Sequence, residues 1–169
     1  MHTLTPKGEF AMRKHNWKTY AFWIGLTEAV GGLSGWLTRE GSQYFNEYVT
    51  QPSLSPPGIV FPIVWGILYA LLGIGAARVW LAPPSADRQR GLNLYIAQLV
   101  LNFFWSLIFF NAQAYGFAFF WLLALLALVI WMTLTFRKVD PLAAKLQIPY
   151  LLWLIFAAYL NLGVWYLNR

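Results

Sequence analysis

Three segments of the sequence carry aromatic and amide side chains at the spacing that places them on one helical face, because residues three, four, seven and eleven positions apart share a face. These stripes are Trp65, Tyr69, Gly73 and Ala76; Gln98, Asn102, Trp105 and Phe109, with Ser106 beside them; and Tyr150, Trp153, Ala157, Asn161 and Val164. Indole and phenol rings stack on planar molecules, and a few amides fix a ligand's orientation. The stripes therefore predict an interior cavity for a flat, mostly apolar ligand.

The same stripes also have a structural interpretation. An amide left unpaired in hydrocarbon costs several kcal/mol, so Asn102 and Asn161 are expected to face inward in either case. Inward-facing amides can join neighbouring helices, at about 0.6–2 kcal/mol each, while tryptophans can serve as packing residues or interface anchors. The residues alone give the two interpretations similar weight.

Glu28 is an ionisable residue near the middle of a long, largely apolar segment. An ionisable group at that depth is functional by default, although a carboxyl group without an intramembrane partner can simply stay protonated. The sequence supports two interpretations of Glu28 equally: a neutral structural acid, and a polar contact near a ligand or a water path.

The sequence lacks the groups that several kinds of site require. It has no cysteine, and both histidines, His2 and His15, lie in the polar N-terminal segment. Thiolate metal sites, disulfides and a buried Ser–His–Asp triad are therefore excluded. We predict no metal site, no required cofactor and no catalytic residue. The basic residues are scattered over membrane-flanking segments, so no nucleic-acid partner is expected.

Long apolar segments must position these side chains. Hydrophobic residues make up 59% of the 169 residues and charged residues 11%, and a helix needs roughly 20 apolar residues to cross a bilayer. We predict an all-α integral membrane protein: a polar basic tail at residues 1–16, then a single domain at residues 17–169. Its five-helix bundle would enclose the cavity, with spans at residues 17–37, 58–81, 92–110, 117–136 and 146–167.

The distribution of lysine and arginine predicts the orientation of the bundle. Of the 12 basic residues, all except Arg39 and Arg169 fall on the side of the N-terminal tail and of the second and fourth loops. Basic residues of short loops are retained on the cytoplasmic side. We therefore expect a cytoplasmic N-terminus and an outer C-terminus, in a bacterial membrane. A mitochondrial outer membrane is the alternative.

Three motifs follow one another along the chain. They are Pro52-Ser53-Leu54-Ser55-Pro56-Pro57-Gly58 followed by Val64-Trp65-Gly66-Ile67-Leu68-Tyr69; then Leu101-Asn102-Phe103-Phe104-Trp105-Ser106-Leu107-Ile108-Phe109-Phe110; and then Pro149-Tyr150-Leu151-Leu152-Trp153 with Phe156-Ala157-Ala158-Tyr159-Leu160-Asn161. In this order the motifs resemble the TspO/MBR family of tryptophan-rich sensory proteins and translocator proteins. The resemblance spans about residues 17–168.

The resemblance implies a five-helix bundle, often a homodimer, whose pocket is capped by the first loop and binds porphyrins and synthetic isoquinoline or benzodiazepine-type ligands. It implies ligand contacts at Trp65, Asn102, Trp105, Ser106, Phe109, Trp153 and Ala157, to which the stripes add Tyr69, Gln98 and Asn161. The implied lid residues are Pro52, Pro56 and Pro57. A loose sterol-recognition pattern at Val164, Tyr166 and Arg169 is weak by itself.

These features together predict a membrane-embedded binding protein for porphyrins or similar planar lipophiles, with sterols as a further ligand class. Transport or stress-linked sensing of the ligand is the expected role. Two alternatives stay open: light-dependent porphyrin degradation with Trp65 and Trp153 as electron or radical partners, and a non-catalytic membrane scaffold whose aromatic stripes only pack.

Overall fold

The computed structural model describes residues 6–169, with side chains from residue 16 onward. Within this range the regular structure is helical, and no β-strand forms. The helices are α1 (Pro6–Leu37), α2 (Arg39–Tyr48), α3 (Val60–Leu81), α4 (Ala86–Ser106), α5 (Tyr115–Val139), α6 (Pro141–Lys145) and α7 (Ile148–Leu167). Helix α4 continues directly into a π-helical turn at Leu107–Asn111. The predicted all-α class is confirmed.

Four helical segments in the described part of the chain are long and apolar enough to cross a membrane. They are Val60–Leu81, Ala86–Asn111, Tyr115–Val139 and Pro141–Leu167. They correspond to the second to fifth predicted spans, and their ends differ from the predicted ends by no more than six residues.

Helix α1 runs through the first predicted span but is not among those four segments. Its apolar character is interrupted by Glu28 and by several glycines, which lower the mean hydropathy of the segment. The helix begins at Pro6, eleven residues before the predicted start of the span at residue 17. Residues 1–5 of the predicted tail, which include His2, lie outside the described residues.

Two short helices occupy connections that the apolar pattern leaves as loops. Helix α2 lies in the predicted connection 38–57, and α6 lies in the predicted loop 137–145. Asp140 caps α6, because its side chain accepts hydrogen bonds from the backbone N–H groups of Leu142 and Ala143 at 2.8 and 3.1 Å. Pro141 then starts the helix, where its missing N–H costs nothing.

Close helix packing fixes the position of α1 against α3, one of the extensive contacts in the bundle. A Cβ atom on Gly73 would lie 2.5 Å from the Cα atom of Ile24, and a Cβ atom on Gly31 would overlap the ring of Tyr69. Only glycine allows the two backbones to approach this closely. Helix α5 packs on both α4 and α7, whereas α3 and α7 touch at few points.

Polar contacts tie the two ends of the bundle. At one end, the guanidinium of Arg78 lies 2.8 Å from the carboxylate of Asp140. Burial opposes ionisation of this carboxyl group, but hydrogen bonds from the Ala143 backbone and from Arg78 hold the pKa of Asp140 below its usual value. At the other end, the amide side chain of Asn168 exchanges two hydrogen bonds with the backbone of Thr50, at 3.0 and 2.8 Å.

Candidate ligand-binding cavity

A cavity of about 590 Å³ lies among α1, α3, α4 and α7, at the end of the bundle that holds α2. Side chains of α2 and of the loop before α3 complete its lining, which is mostly apolar. Pockets for small molecules in proteins enclose about 300–1,000 Å³ and combine apolar walls with a few polar groups. The cavity therefore has the size and the character of a small-molecule site.

Aromatic side chains form two opposite parts of the cavity wall. On α3, the rings of Trp65 and Tyr69 lie one helical turn apart with their centroids 5.2 Å from each other, and Trp153 of α7 meets Trp65 edge to face at 6.4 Å. Trp105 of α4 and Phe109 of the π-helical turn stack at 5.2 Å with an interplanar angle of 26°. The stripe spacing produces these pairs, since residues four apart are neighbours on a helix surface.

The amides of the central stripe lie behind the aromatic wall. Tyr69 donates its hydroxyl hydrogen to the Oδ1 atom of Asn102 at 2.9 Å, and Asn102 donates from Nδ2 to the hydroxyl of Tyr150 at 2.7 Å. Tyr150 in turn donates to Gln98 Oε1 at 2.9 Å. This chain of hydrogen bonds, the Tyr69–Gln98 network, joins α3, α4 and α7. It gives Asn102 and Gln98 a structural role, and neither lines the cavity.

Asn161 occupies a different position, because it reaches the cavity surface. Its Oδ1 atom accepts a hydrogen bond from the indole N–H of Trp105 at 3.3 Å, and its Nδ2 atom donates to the backbone carbonyl of Tyr115 at 2.8 Å. Asn161 therefore fixes the orientation of a wall residue while contributing to the lining itself.

The structure brings together most of the residues predicted to contact a ligand. Those that line the cavity are Trp65, Tyr69, Trp105, Ser106, Phe109, Trp153, Ala157 and Asn161. All come from the three stripes, and each stripe points toward the centre of the bundle, as the cost of unpaired amides requires. The identity of a ligand at these residues stays a prediction.

The predicted lid prolines are placed around the cavity and not in its lining. Their neighbours Gln51, Ser55 and Gly58 contribute to the surface instead. Pro52 packs on α7, since a Cβ atom on Gly163 would lie 2.9 Å from the Pro52 ring. Pro56 and Pro57 lie in the loop between Ser55 and Gly58, and no contact of either with the cavity is observed.

The residues of the loose sterol pattern do not converge. Val164 is buried and lines the cavity. Tyr166 is exposed, and the guanidinium of Arg169 lies over its ring at 4.4 Å from the centroid, away from the cavity lining.

Sequence reasoning missed the wall that α1 and α2 provide. The missed lining residues are Gly31, Gly32, Ser34, Gly35, Thr38, Arg39, Ser42, Phe45 and Asn46, together with Glu28, whose role the sequence left open. A Cβ atom on Gly32, Gly35 or Gly66 would meet nothing within 4 Å, so these glycines leave space open along the wall. The repeated glycines of α1 were the available signal, although such spacing ordinarily indicates close helix packing.

Two charged side chains contribute to the lining, Glu28 and Arg39. Arg39 is already engaged: it lies 3.3 Å from the carboxylate of Glu40, donates to the backbone carbonyl of Trp36 at 2.9 Å, and stacks over the Trp36 ring. Among the described residues no group of three His, Asp, Glu or Cys side chains is placed to hold a metal ion. The mostly apolar lining of the cavity suits an organic ligand.

Comparison with known proteins agrees with the motifs. Residues 23–167 match the model of the TspO/MBR family. The translocator protein of Ovis aries is 35% identical over 148 residues, covering 85% of this chain and 87% of the relative. The tryptophan-rich protein TspO of Chlorobaculum tepidum is 33% identical over 154 residues, covering 89% and 96%. The human translocator protein is 41% identical over 117 residues, covering 68% and 69%. The chain belongs to the TspO/MBR family.

Proposed function

We propose that the chain is a membrane-embedded binding protein that takes a porphyrin or a similar planar lipophile into the cavity, for transport or for stress-linked sensing. The observation that carries this proposal is the aromatic wall. Trp65, Tyr69, Trp105, Phe109 and Trp153 surround one cavity of about 590 Å³. Aromatic rings hold planar apolar molecules by stacking, and a wall with few polar atoms favours a ligand that partitions into the bilayer.

The proposal includes five membrane spans. Helix α1 lies along α3 and is held there by the contact of Gly73 with Ile24 and of Gly31 with Tyr69. A helix packed lengthwise on a membrane-spanning segment shares its depth, so residues 17–37 would cross the membrane beside α3. The basic residues would then keep the N-terminus in the cytoplasm and place α2 and the C-terminus outside.

The first experiment titrates the protein in nanodiscs with protoporphyrin IX in the dark, following tryptophan fluorescence. We expect saturable quenching, because several indoles lie in the cavity wall. Gly66→Leu should weaken binding at least about tenfold, since a leucine there enters open cavity space. Trp153→Leu should also weaken it by removing one stacking surface.

Gly25→Leu is the matched control. Gly25 lies on α1, faces open space and is not part of the cavity lining. This variant should quench like the wild type. Non-saturable quenching, or quenching that Gly66→Leu leaves unchanged, would mean that the aromatic residues only pack and would favour the scaffold alternative.

Light-dependent porphyrin degradation is a second candidate, favoured by the contact of Trp65 with Trp153 at 6.4 Å in the cavity wall. Two indoles beside one bound ring could pass an electron to or from it. The double variant Trp65→Phe, Trp153→Phe keeps aromatic rings at both positions, so the loss of porphyrin absorbance under light should slow strongly compared with the wild type. Equal rates for the two proteins would remove this candidate.

A further inference from the structure

Glu28 places a carboxyl group in the wall of an otherwise apolar part of the cavity. It lies on the same face of α1 as Gly31, Gly32 and Gly35, which follow at three, four and seven positions, and all four residues line the cavity. Gly31 lies directly against the ring of Tyr69. Glu28 is therefore one helical turn along α1 from the residue that contacts Tyr69, and Trp65 lies one turn further along α3.

No basic side chain accompanies Glu28. Among the residues whose side chains the structure describes, the ion pairs involve Glu40, Asp87 and Asp140, and Glu28 forms neither an ion pair nor a side-chain hydrogen bond. Lys18 precedes it by ten positions on the same helix, roughly 15 Å at 1.5 Å per residue. An acid at this depth without a partner is costly, and such residues ordinarily have a function.

The surroundings of Glu28 suit an organic cation and not a metal ion. A metal ion such as Ca²⁺ takes six to eight oxygen ligands, whereas this wall offers a single carboxyl group. A carboxylate beside the faces of aromatic rings is the combination that recognises an ammonium group, through charge pairing and cation–π attraction. Gly32 and Gly35 leave room next to the carboxyl group for the attached ligand.

We propose that the cavity selects lipophilic ligands that carry a cationic nitrogen, and that Glu28 pairs with this nitrogen while the rings of Trp65 and Tyr69 cover it. This inference rests on the proposed function, because it specifies the ligand class of the same cavity. Arg39 then belongs to the polar rim of the cavity, and Glu28 belongs to the site that selects the ligand.

The test uses two probes of the same shape and different charge. They are (1-naphthylmethyl)trimethylammonium and its uncharged carbon analogue, 1-neopentylnaphthalene, each titrated calorimetrically into the protein in nanodiscs. We expect the wild type to bind the cation at least about tenfold more tightly, because the cation gains charge pairing and cation–π attraction that the carbon analogue lacks. Glu28→Gln should reduce this selectivity to near unity.

Glu47→Gln is the matched control, because Glu47 is exposed on α2 and is not in the cavity lining. It should keep the wild-type selectivity. Partition of the probes into lipid cancels when the variants are compared in the same nanodiscs. Glu28→Asp, which keeps the charge on a shorter side chain, should retain part of the selectivity, and it distinguishes loss of charge from loss of fold.

Equal affinity of the wild type for the two probes, once each is corrected for its partition into empty nanodiscs, would overturn the inference without any variant. Selectivity that persists in Glu28→Gln would overturn it as well. The protoporphyrin titration separates this failure from failure of the proposed function: saturable quenching with no preference for the cationic probe leaves a cavity that binds planar lipophiles without selection by Glu28. A protein that shows neither saturable quenching nor a preference for the cationic probe would overturn the two proposals together.

Discussion

The hydroxyl group of Tyr150 connects the amide side chains of Asn102 and Gln98, which lie on α4. It accepts a hydrogen bond from Asn102 and donates one to Gln98, and all three residues are buried. Each donor or acceptor left unpaired in such a place costs about 1–3 kcal/mol. At the scale of single residues, the Tyr69–Gln98 network therefore stabilises the bundle behind the cavity.

Tyr150→Phe tests this role. The ring still fills its space, but the amides of Asn102 and Gln98 each lose a partner, so we expect the free energy of unfolding to fall by about 1–3 kcal/mol. Thermal unfolding in detergent measures the change. Protoporphyrin quenching should stay as in the wild type, because Tyr150 does not line the cavity.

Tyr159→Phe provides the comparison, since Tyr159 lies on the same helix, is 44% exposed and makes no hydrogen bond among the described residues. Its stability should match that of the wild type. A Tyr150→Phe protein as stable as Tyr159→Phe would contradict the structural role of the network.

The residue scale also shows where sequence reasoning ends. Helical spacing and the cost of unpaired amides predict that Asn102, Gln98 and Asn161 face inward, and all three are buried. Spacing within one helix cannot reveal whether an inward amide meets a ligand or a neighbouring helix. That depends on partners supplied by other segments: Tyr150 for Asn102, and the backbone carbonyl of Tyr115 for Asn161.

Helix α2 covers one end of the cavity. The apolar pattern of the sequence does not predict this helix. It is ten residues long, and Phe45 is its one buried side chain. Apolar length is the main sequence signal for a membrane span, so a short polar helix gives almost none. Phe45 packs on Phe109 and Phe110 of the π-helical turn, with ring centroids 5.2 and 5.6 Å away.

Gly41 is a residue at which the backbone of α2 closely approaches the backbone of the π-helical turn, and it supplies the prediction at the scale of elements. A Cβ atom there would lie 2.5 Å from the carbonyl oxygen of Phe110, a backbone atom that cannot move aside cheaply. Gly41→Val should therefore detach α2 from the bundle, at a local cost of about 1–3 kcal/mol. Hydrogen exchange should then accelerate in residues 39–48.

Exchange in α3 and α5 should be unchanged in this variant. Gly25→Val is the control, because a side chain at this position meets nothing within 4 Å. Hydrogen exchange in α2 should be as slow in this variant as in the wild type. Unchanged protection of residues 39–48 in Gly41→Val would show that α2 is held by contacts other than this one.

The number of membrane spans is a property of the whole molecule. Five spans place the two termini on opposite sides of the membrane, whereas four spans that omit α1 place residue 7 on the same side as residue 48. The chain contains no cysteine, so single cysteines can be introduced without a background. We expect Tyr48→Cys to react with a membrane-impermeant maleimide from one side, and Lys7→Cys and Lys138→Cys to react from the other side.

Lys138 provides the reference in this assay, because it lies in the last turn of α5 and is exposed. The sides from which Lys138→Cys and Tyr48→Cys are labelled test the spans after α1. The side from which Lys7→Cys is labelled tests α1 alone. Labelling of Lys7→Cys together with Tyr48→Cys would contradict a membrane-spanning α1.

At this scale, apolar length is sufficient to place four candidate spans to within six residues. The three stripes predict the cavity. They do not predict its α1 wall, because a glycine has no side chain and so adds nothing to an aromatic or polar stripe. Gly32 and Gly66 contribute open space to the cavity and no side chain. Empty space arises only when helices are assembled, so no pattern within one helix predicts it.

The glycines of this wall also bear on how the site can change over generations. One base change converts a glycine codon to that of alanine or valine, and at Gly32, Gly35 and Gly66 the new methyl groups would meet open space. Lineages can therefore adjust the cavity volume in small inherited steps, while substitution at Gly41 or Gly73 would disturb the packing of the helices. Ligand preference in this chain can diverge without loss of the scaffold that supports it.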